Sequence, residues 1–184
     1  MPNYRRWYVP GGTHFFTVVI HQRRPLLAAE ENRKLLAEAI KKIQLKRPYT
    51  EFAWVRLPDH IHWVWTLPPG DSNYSLRIGQ IKEAFTTAFL RSGGQEGATT
   101  ASRLGHRERA VWQRRFWEHT VRDEDDLIRC VEYIHWNPVK HGYVKSPIDW
   151  PCSSFARFVE SGDYPANWGA ADPCPDFKSA EWDM

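Results

Sequence analysis

Apolar and polar positions recur along this chain with a period that changes from segment to segment, and each change marks an element. Residues His14 to Ile20 (HFFTVVI) are aromatic and β-branched and follow the Gly11-Gly12 pair, which predicts a turn and then a strand. Between Glu30 and Lys46 the apolar Leu36, Ile40 and Ile43 recur at helical spacing, with Lys and Arg elsewhere, and Pro48 closes the segment. Phe52 to Leu57 reads as a second strand, Pro58-Asp59 as a tight turn, and Ile61 to Leu67 as a third strand ended by Pro68-Pro69-Gly70. A second helix is predicted from about Asn73 to Arg91, with Ile78, Ile81, Phe85 and Phe89 on one face. Gly93 to Gly105 (GGQEGATTASRLG) has no period and is rich in Gly, Ser and Thr, the composition of a flexible loop. Val111 to Val121 (VWQRRFWEHTV) is strand-like. Asp123 to about Trp136 is a third helix, with Asp123 as N-cap and Glu124, Asp125 and Asp126 favourable in its first turn.

The order is thus β-α-β-β-α-β-α. A tight hairpin in the middle and helical connections elsewhere predict an antiparallel sheet with helices packed on it, an α+β sandwich of ferredoxin-like type. Residues 1–148 form the expected domain. Residues 149–184 are rich in Pro, Gly and Trp and are expected as an acidic tail draped on that body, not as a second domain; 184 residues suit a single core.

Composition narrows the class. Hydrophobic residues at 42% and charged residues at 26% exclude wholesale disorder. No run approaches the roughly 20 apolar residues of a membrane span, and the start MPNYRRWYVPGG is not a signal peptide, so no membrane partner is expected. Cys130, Cys152 and Cys174 are widely spaced and form no CxxC pair, which argues against a disulfide framework or a Cys-based zinc site and fits a reducing cytoplasm. The net charge of +3 conceals an asymmetry. From Asp149 onward seven acids meet two bases, a balance of −5, so residues 1–148, with 23 bases and 15 acids, carry +8. A basic, aromatic-rich body suggests a polyanion partner, most simply nucleic acid, although a solvated charge pattern without function gives the same numbers.

Candidate chemistry concentrates in the third strand. In Leu57-Pro58-Asp59-His60-Ile61-His62-Trp63-Val64-Trp65-Thr66-Leu67, the residues Ile61, Trp63, Trp65 and Leu67 share one wholly apolar face, and His60, His62, Val64 and Thr66 share the other. Two imidazoles two residues apart on one face can converge on a metal ion, but a His-x-His pair alone is as well explained by satisfied or surface histidines. The third helix adds to the case. Leu127, Val131 and Ile134 face the core, while Tyr133 and Asn137, at i and i+4, neighbour one another on an adjacent stripe. They offer a candidate nucleophile beside a candidate oxygen ligand, although a lone tyrosine on a helix more often packs in the core, and it is the pairing with the His-x-His strand that favours chemistry. Pro138 follows Asn137, which places Asn137 at the expected helix end, where its amide could instead cap the helix.

His60-Ile61-His62 followed about 70 residues later by Tyr133-Ile134-His135-Trp136-Asn137-Pro138 resembles the single-tyrosine transposases of the His-hydrophobe-His (HUH) superfamily. Further segments narrow the resemblance: Tyr4-Arg5-Arg6, Gly11-Gly12-Thr13 with Phe15-Phe16-Thr17, and Trp54-Val55 before Leu57-Pro58-Asp59-His60. So do Trp112-Gln113 with Phe116-Trp117-Glu118-His119, Asn137-Pro138-Val139-Lys140-His141-Gly142, and Asp149-Trp150-Pro151-Cys152-Ser153-Ser154. Together they resemble the REP-associated tyrosine transposases over residues 4 to 155, with the loop at 93–105 as a variable insertion and the last 30 residues matching least. The resemblance implies an HUH nuclease core and a strand transferase on single-stranded DNA bearing palindromic repeat hairpins. Tyr133 would be the nucleophile, and His60, His62 and Asn137 would hold Mg²⁺ or Mn²⁺. No nucleotide cofactor is needed, because a phosphotyrosine conserves the phosphodiester energy. The implied setting is the bacterial cytoplasm, in association with the nucleoid.

For the DNA surface, Tyr4, Arg5, Arg6 and Trp7 mix cations with stacking rings, a composition suited to single strands or to an anchored N-terminal segment. Lys82 could reach phosphate or be a solvated lysine, and Arg114 and Arg115 fit either DNA contact or edge-strand charge. Three rivals remain, one of them a hydrolytic metalloenzyme using His60 and His62 on a small molecule, against which the lack of a convincing third-ligand carboxylate speaks. A ferredoxin-like nucleic-acid-binding module would place stacking aromatics where this strand has histidines. A relaxase or replication initiator of the same superfamily often carries two tyrosines or a longer chain. A monomer is the expected state, with a dimer as the alternative.

Overall fold

A computed structural model describes residues 7–106 and 108–170. Four strands, β1 (Thr13–Val19), β2 (Thr50–Arg56), β3 (His60–Thr66) and β4 (Trp117–Thr120), form one sheet in the order β2-β3-β1-β4, antiparallel throughout. With helices α1 (Glu30–Lys46), α2 (Tyr74–Arg91) and α4 (Glu124–Lys140) between and after the strands, this is the ferredoxin-like α+β arrangement that the element order predicts. No helix among the described residues is long and apolar enough to cross a membrane.

The two central strands are buried on both sides, and their alternation sorts the core into two layers. Phe16, Val18, Ile61, Trp63 and Trp65 pack with α1 and α2 through Leu36, Ile40, Ile43, Ile78, Ile81 and Phe85. On the opposite face Phe15, Ala53, Val55 and Val64 pack with Cys130, Val131, Tyr133 and Ile134 of α4. Helix starts follow local chemistry. Asn73 Oδ1 accepts from Leu76 N at α2, and Asp123 Oδ1 accepts from Asp126 N at α4. The buried guanidinium of Arg77 donates to the carbonyls of Arg47 and Pro48 and to Asp71 at 2.6 Å, tying the start of α2 to the end of α1.

Three expectations are corrected. The strand-like 111–121 segment joins the sheet only at β4; before it, Trp112 makes one isolated bridge to Ile20. Side chains take the carbonyls that a ladder would need: Lys82 Nζ donates to Gln113 O at 2.6 Å and to Arg114 O at 3.2 Å, and Arg103 donates to Trp112 O. Within the Gly/Ser/Thr stretch, a short helix, α3 (Ala101–Gly105), is capped by Thr100 Oγ1. Polar side chains hold this region as well, with Glu96 accepting from both Arg109 and Ala110 N. Finally, α4 does not end before Asn137 but runs through Pro138 to Lys140. Proline this close to the terminus forfeits only its own bond to the preceding turn, and His141 N still closes onto Asn137 O at 3.0 Å.

Residues 150–170 lie along the outer edge of β2. Arg56 N donates to Cys152 O and Ser154 N to Trp54 O, each at 2.9 Å, and a short helix α5 (Phe155–Glu160) follows. His135 of α4 bonds to Ser154 Oγ at 2.8 Å amid Phe155, Phe158 and Tyr164. The acids Asp172, Asp176, Glu181 and Asp183 of the expected tail lie outside the described residues, as do Tyr4, Arg5 and Arg6.

Candidate active site

The α4 face of the sheet carries the polar cluster. His60 and His62 are buried on β3 with ring centroids 4.8 Å apart. Directly across the ladder from His62 lies Thr17 of β1, and Thr17 Oγ1 bonds to His62 Nδ1 at 2.9 Å. His60 Nδ1 bonds to Asp59 Oδ1 at 2.6 Å. With both Nδ1 atoms assigned as donors, each Nε2 keeps a bare lone pair, which is the form that ligates a metal. Burial, followed by the nearby charges of His60, His141 and Lys140, holds His62 well below the usual imidazole range, so this ring is neutral at neutral pH. The Asp59 carboxyl is pushed up by burial but drawn down further by His60 and Arg23, to about 2.

Helix α4 lies over this pair. Tyr133 stands edge-on to His62 with centroids 5.2 Å apart, and His141 stands 5.4 Å from His60. Asn137 lies midway between Tyr133 and His141, one helical turn from each, so the same stripe of α4 brings it over the two histidines. Its Oδ1 and Nδ2 are both buried without a hydrogen-bond partner, and so is His62 Nε2. A buried amide in this state costs roughly 1–3 kcal/mol unless something binds it. Orphaned acceptors on neighbouring neutral residues fit a divalent cation, so His60, His62 and Asn137 could hold one. Lys140 Nζ donates to Tyr133 Oη at 3.5 Å and lies 4.9 Å from the ring centroid, placing a cation beside the phenol oxygen.

A second grouping, His119, Asp126 and Cys130, also brings metal-ligand atoms within 4.8 Å of one another. Its carboxylate is already engaged: Asp126 takes two bonds from the Arg122 guanidinium, one from Arg122 N and one from His119 Nε2 at 2.7 Å. Burial pushes the Cys130 thiol far up, so it stays protonated. This group clamps the start of α4 to β4.

The structure therefore brings Tyr133, His60, His62 and Asn137 together, and places the remaining candidates elsewhere. Lys82, Arg114 and Arg115 line a groove of about 500 Å³ with Ser75, Gly79 and Phe116, on the α2 side of the sheet. Lys82 secures the 113–114 backbone there, and Arg114 pairs with Glu108. Trp7 is 72% exposed beside β4, lining a cavity of about 600 Å³ with Glu118, His119 and Arg122. Sequence reasoning passed over Thr17, Asp59 and Lys140. The first two have no periodic signal beyond standing opposite or beside a histidine, but Lys140 lies seven residues after Tyr133, two helical turns on, and that spacing is readable.

No family model matches the chain. Similarity to individual proteins is extensive. A REP-associated tyrosine transposase of Escherichia coli (strain K12) is 42% identical over 181 residues, 98% of each chain. A relative from Haemophilus influenzae, assigned to the same family, is 41% identical over 178 residues, 97% of each chain. Among solved structures, a REP-associated tyrosine transposase bound to a REP hairpin superposes with a TM-score of 0.79 at 42% identity, covering 97% of this chain and 96% of that one. Identity at this level spans both strands and helices of the His60–Tyr133 site, and on that basis the chain belongs to the family of REP-associated tyrosine transposases.

Proposed function

We propose that this chain is a DNA transposase that nicks and rejoins single-stranded DNA beside palindromic repeat hairpins, with Tyr133 as nucleophile. The observation that carries the assignment of the site is the meeting of a buried tyrosine, two buried histidines and an unpartnered amide on one face of the sheet. That the solved relative is bound to a REP hairpin supports the DNA class.

A phenol of pKa about 10 is a weak nucleophile at neutral pH and needs a neighbouring cation or base. Lys140 faces Tyr133 Oη and offsets negative charge as the phenol proton leaves. Oη then bonds to the scissile phosphorus and the bond from phosphorus to the 3′ oxygen breaks. The departing oxygen takes up a proton and becomes a free 3′-OH, leaving a 5′-phosphotyrosine. Attack by another 3′-OH reverses the step and rejoins strands. His60, His62 and the Asn137 side-chain oxygen would hold Mg²⁺ or Mn²⁺, which when bound supplies a double positive charge against the phosphoryl group. Phe15 packs against both Tyr133 and His62, holding nucleophile and ligand in one apolar frame.

DNA would be gathered by the N-terminal Tyr4, Arg5, Arg6 and Trp7, with Lys82, Arg114 and Arg115 as a further cationic surface across the sheet. The catalytic unit is residues 1–148, acting as a monomer, with the acidic residues beyond 149 as an appended tail.

The test uses single-stranded oligonucleotides carrying a repeat hairpin, incubated with the full chain and Mn²⁺ and run under denaturing conditions. Wild type forms a denaturant-resistant protein–DNA adduct, and Tyr133→Phe forms none. An adduct that survives that substitution refutes the assignment of the nucleophile.

A further inference from the structure

Among the described residues, Gln22 and Arg23 are the non-glycine positions with positive φ, at 58° and 49°, and they are adjacent. L-residues seldom adopt this conformation, and two in succession persist only where the surroundings impose it. The surroundings here are specific. On one side, His21 N donates to Val111 O, His21 Nε2 bonds to Ala98 O at 2.8 Å, and Arg24 donates to the carbonyls of Gln95 and Ala110. Gly97 lies so close that a Cβ there would meet His21 Cδ2 and Gln22 Oε1 at 3.1 Å. The segment from Gln95 to Val111 thus clamps the turn from outside.

On the other side Arg23 reaches the catalytic face. Its Nη1 donates to Asp59 Oδ2 at 3.0 Å, and the other oxygen of that carboxylate accepts from His60 Nδ1 at 2.6 Å. One carboxylate therefore joins a guanidinium to an imidazole through opposite oxygens. The Arg23 side chain is 47% exposed and Asp59 15%, so core packing does not account for the contact. The clamp from the 95–111 segment holds the turn, and the half-exposed guanidinium adds little stability of its own, so the contact is read by what it aligns.

We infer that Arg23 is a positioning residue for the metal-binding pair. The clamped left-handed turn delivers its guanidinium to Asp59, which is thereby held in one orientation and fixes the His60 ring with Nδ1 occupied and Nε2 left for the ion. The inference rests on the reading of His60 as a ligand given above. Outer partners of this kind typically change metal affinity by about 10- to 100-fold.

The experiment titrates Mn²⁺ alone into the full metal-free chain, reading free Mn²⁺ by electron paramagnetic resonance. Exchange of the His60 Nδ1 proton is followed by nitrogen-edited NMR without metal. Arg23→Gly removes the guanidinium while suiting the backbone, and is expected to weaken Mn²⁺ binding about 10-fold and to speed that exchange. Gln22→Gly relaxes the same turn but keeps the guanidinium, and is expected to leave both readings as in wild type. Wild-type Mn²⁺ affinity in Arg23→Gly, or wild-type exchange there, overturns the inference. His60→Ala separates the two levels. If it retains wild-type Mn²⁺ affinity, the ligand assignment falls and the inference with it; if it loses Mn²⁺ while Arg23→Gly does not, the inference alone fails.

Discussion

The two faces of β3 are built from alternate residues of one seven-residue strand, yet they obey different rules. Towards α1 and α2, Ile61, Trp63 and Trp65 pack in a large apolar and aromatic cluster, with Trp65 stacked on Tyr49 at 4.1 Å and set edge-on to Phe16, and with the buried Glu51 carboxyl beside Trp63. Towards α4, His60 and His62 meet Tyr133, His141 and an unsatisfied Asn137, with Phe15 and Val64 supplying the apolar remainder. Both faces bury unpartnered polar atoms, but on the first they are scattered through an apolar cluster, whereas on the second His62 Nε2 and the Asn137 amide lie near Tyr133. Stability and chemistry are thus separated by the pleat, and substitutions on each face should fail in different ways.

The largest effect is expected on the apolar face. Trp65→Ala should cost about 3–5 kcal/mol of folding stability, measured by urea unfolding, with metal affinity unchanged in the molecules that remain folded. A loss of Mn²⁺ affinity in that folded fraction would show that the two faces are coupled.

Acid should reach both faces, though unequally. Burial, the main cause in each case, lowers His62 well below 6.5, His14 to about 4 and His135 to about 3. Unfolding returns these rings to about 6.5, so at lower pH the unfolded chain takes up protons that the folded chain refuses. Stability is therefore complete above about pH 6.5 and falls as the pH drops towards 4, by up to about 1.4 kcal/mol per pH unit for each histidine. His135→Gln should flatten this slope by one residue's share, read from unfolding midpoints at pH 7 and pH 5. An unchanged slope would mean that His135 titrates normally.

The smallest effect is also the most diagnostic. Asn137→Ala removes an amide buried without partners, and should leave metal-free stability unchanged or higher by about 1 kcal/mol while weakening Mn²⁺ binding. If the variant loses stability and keeps its metal, Asn137 belongs to the core and not to the site.

Most of the frame was legible because periodicity reports burial. The helix over Glu30–Lys46 and the Trp63/Trp65 face follow directly from apolar spacing. What escaped was fixed by side chains binding distant backbone. The residues before β4 look like a strand in composition, but Lys82 of α2 and Arg103 of the short helix α3 take their carbonyls. A similar blindness affected the site. Tyr133, His60, His62 and Asn137 were readable from spacing and resemblance, whereas Arg23 meets Asp59 across 36 residues through a left-handed turn and Thr17 meets His62 across 45 through sheet register.

That register gives the molecule an intolerance to partial error. Thr17 faces His62 and Phe16 faces Trp63 in the same ladder. A slip of one residue between β1 and β3 would carry every indole to the α4 side and every imidazole into the apolar layer at once. An intermediate slipped by one residue cannot bury its core and keep a distorted site. Burying the core in this register also turns the histidines towards the tyrosine, so assembly of the sheet itself sets the geometry of the candidate site.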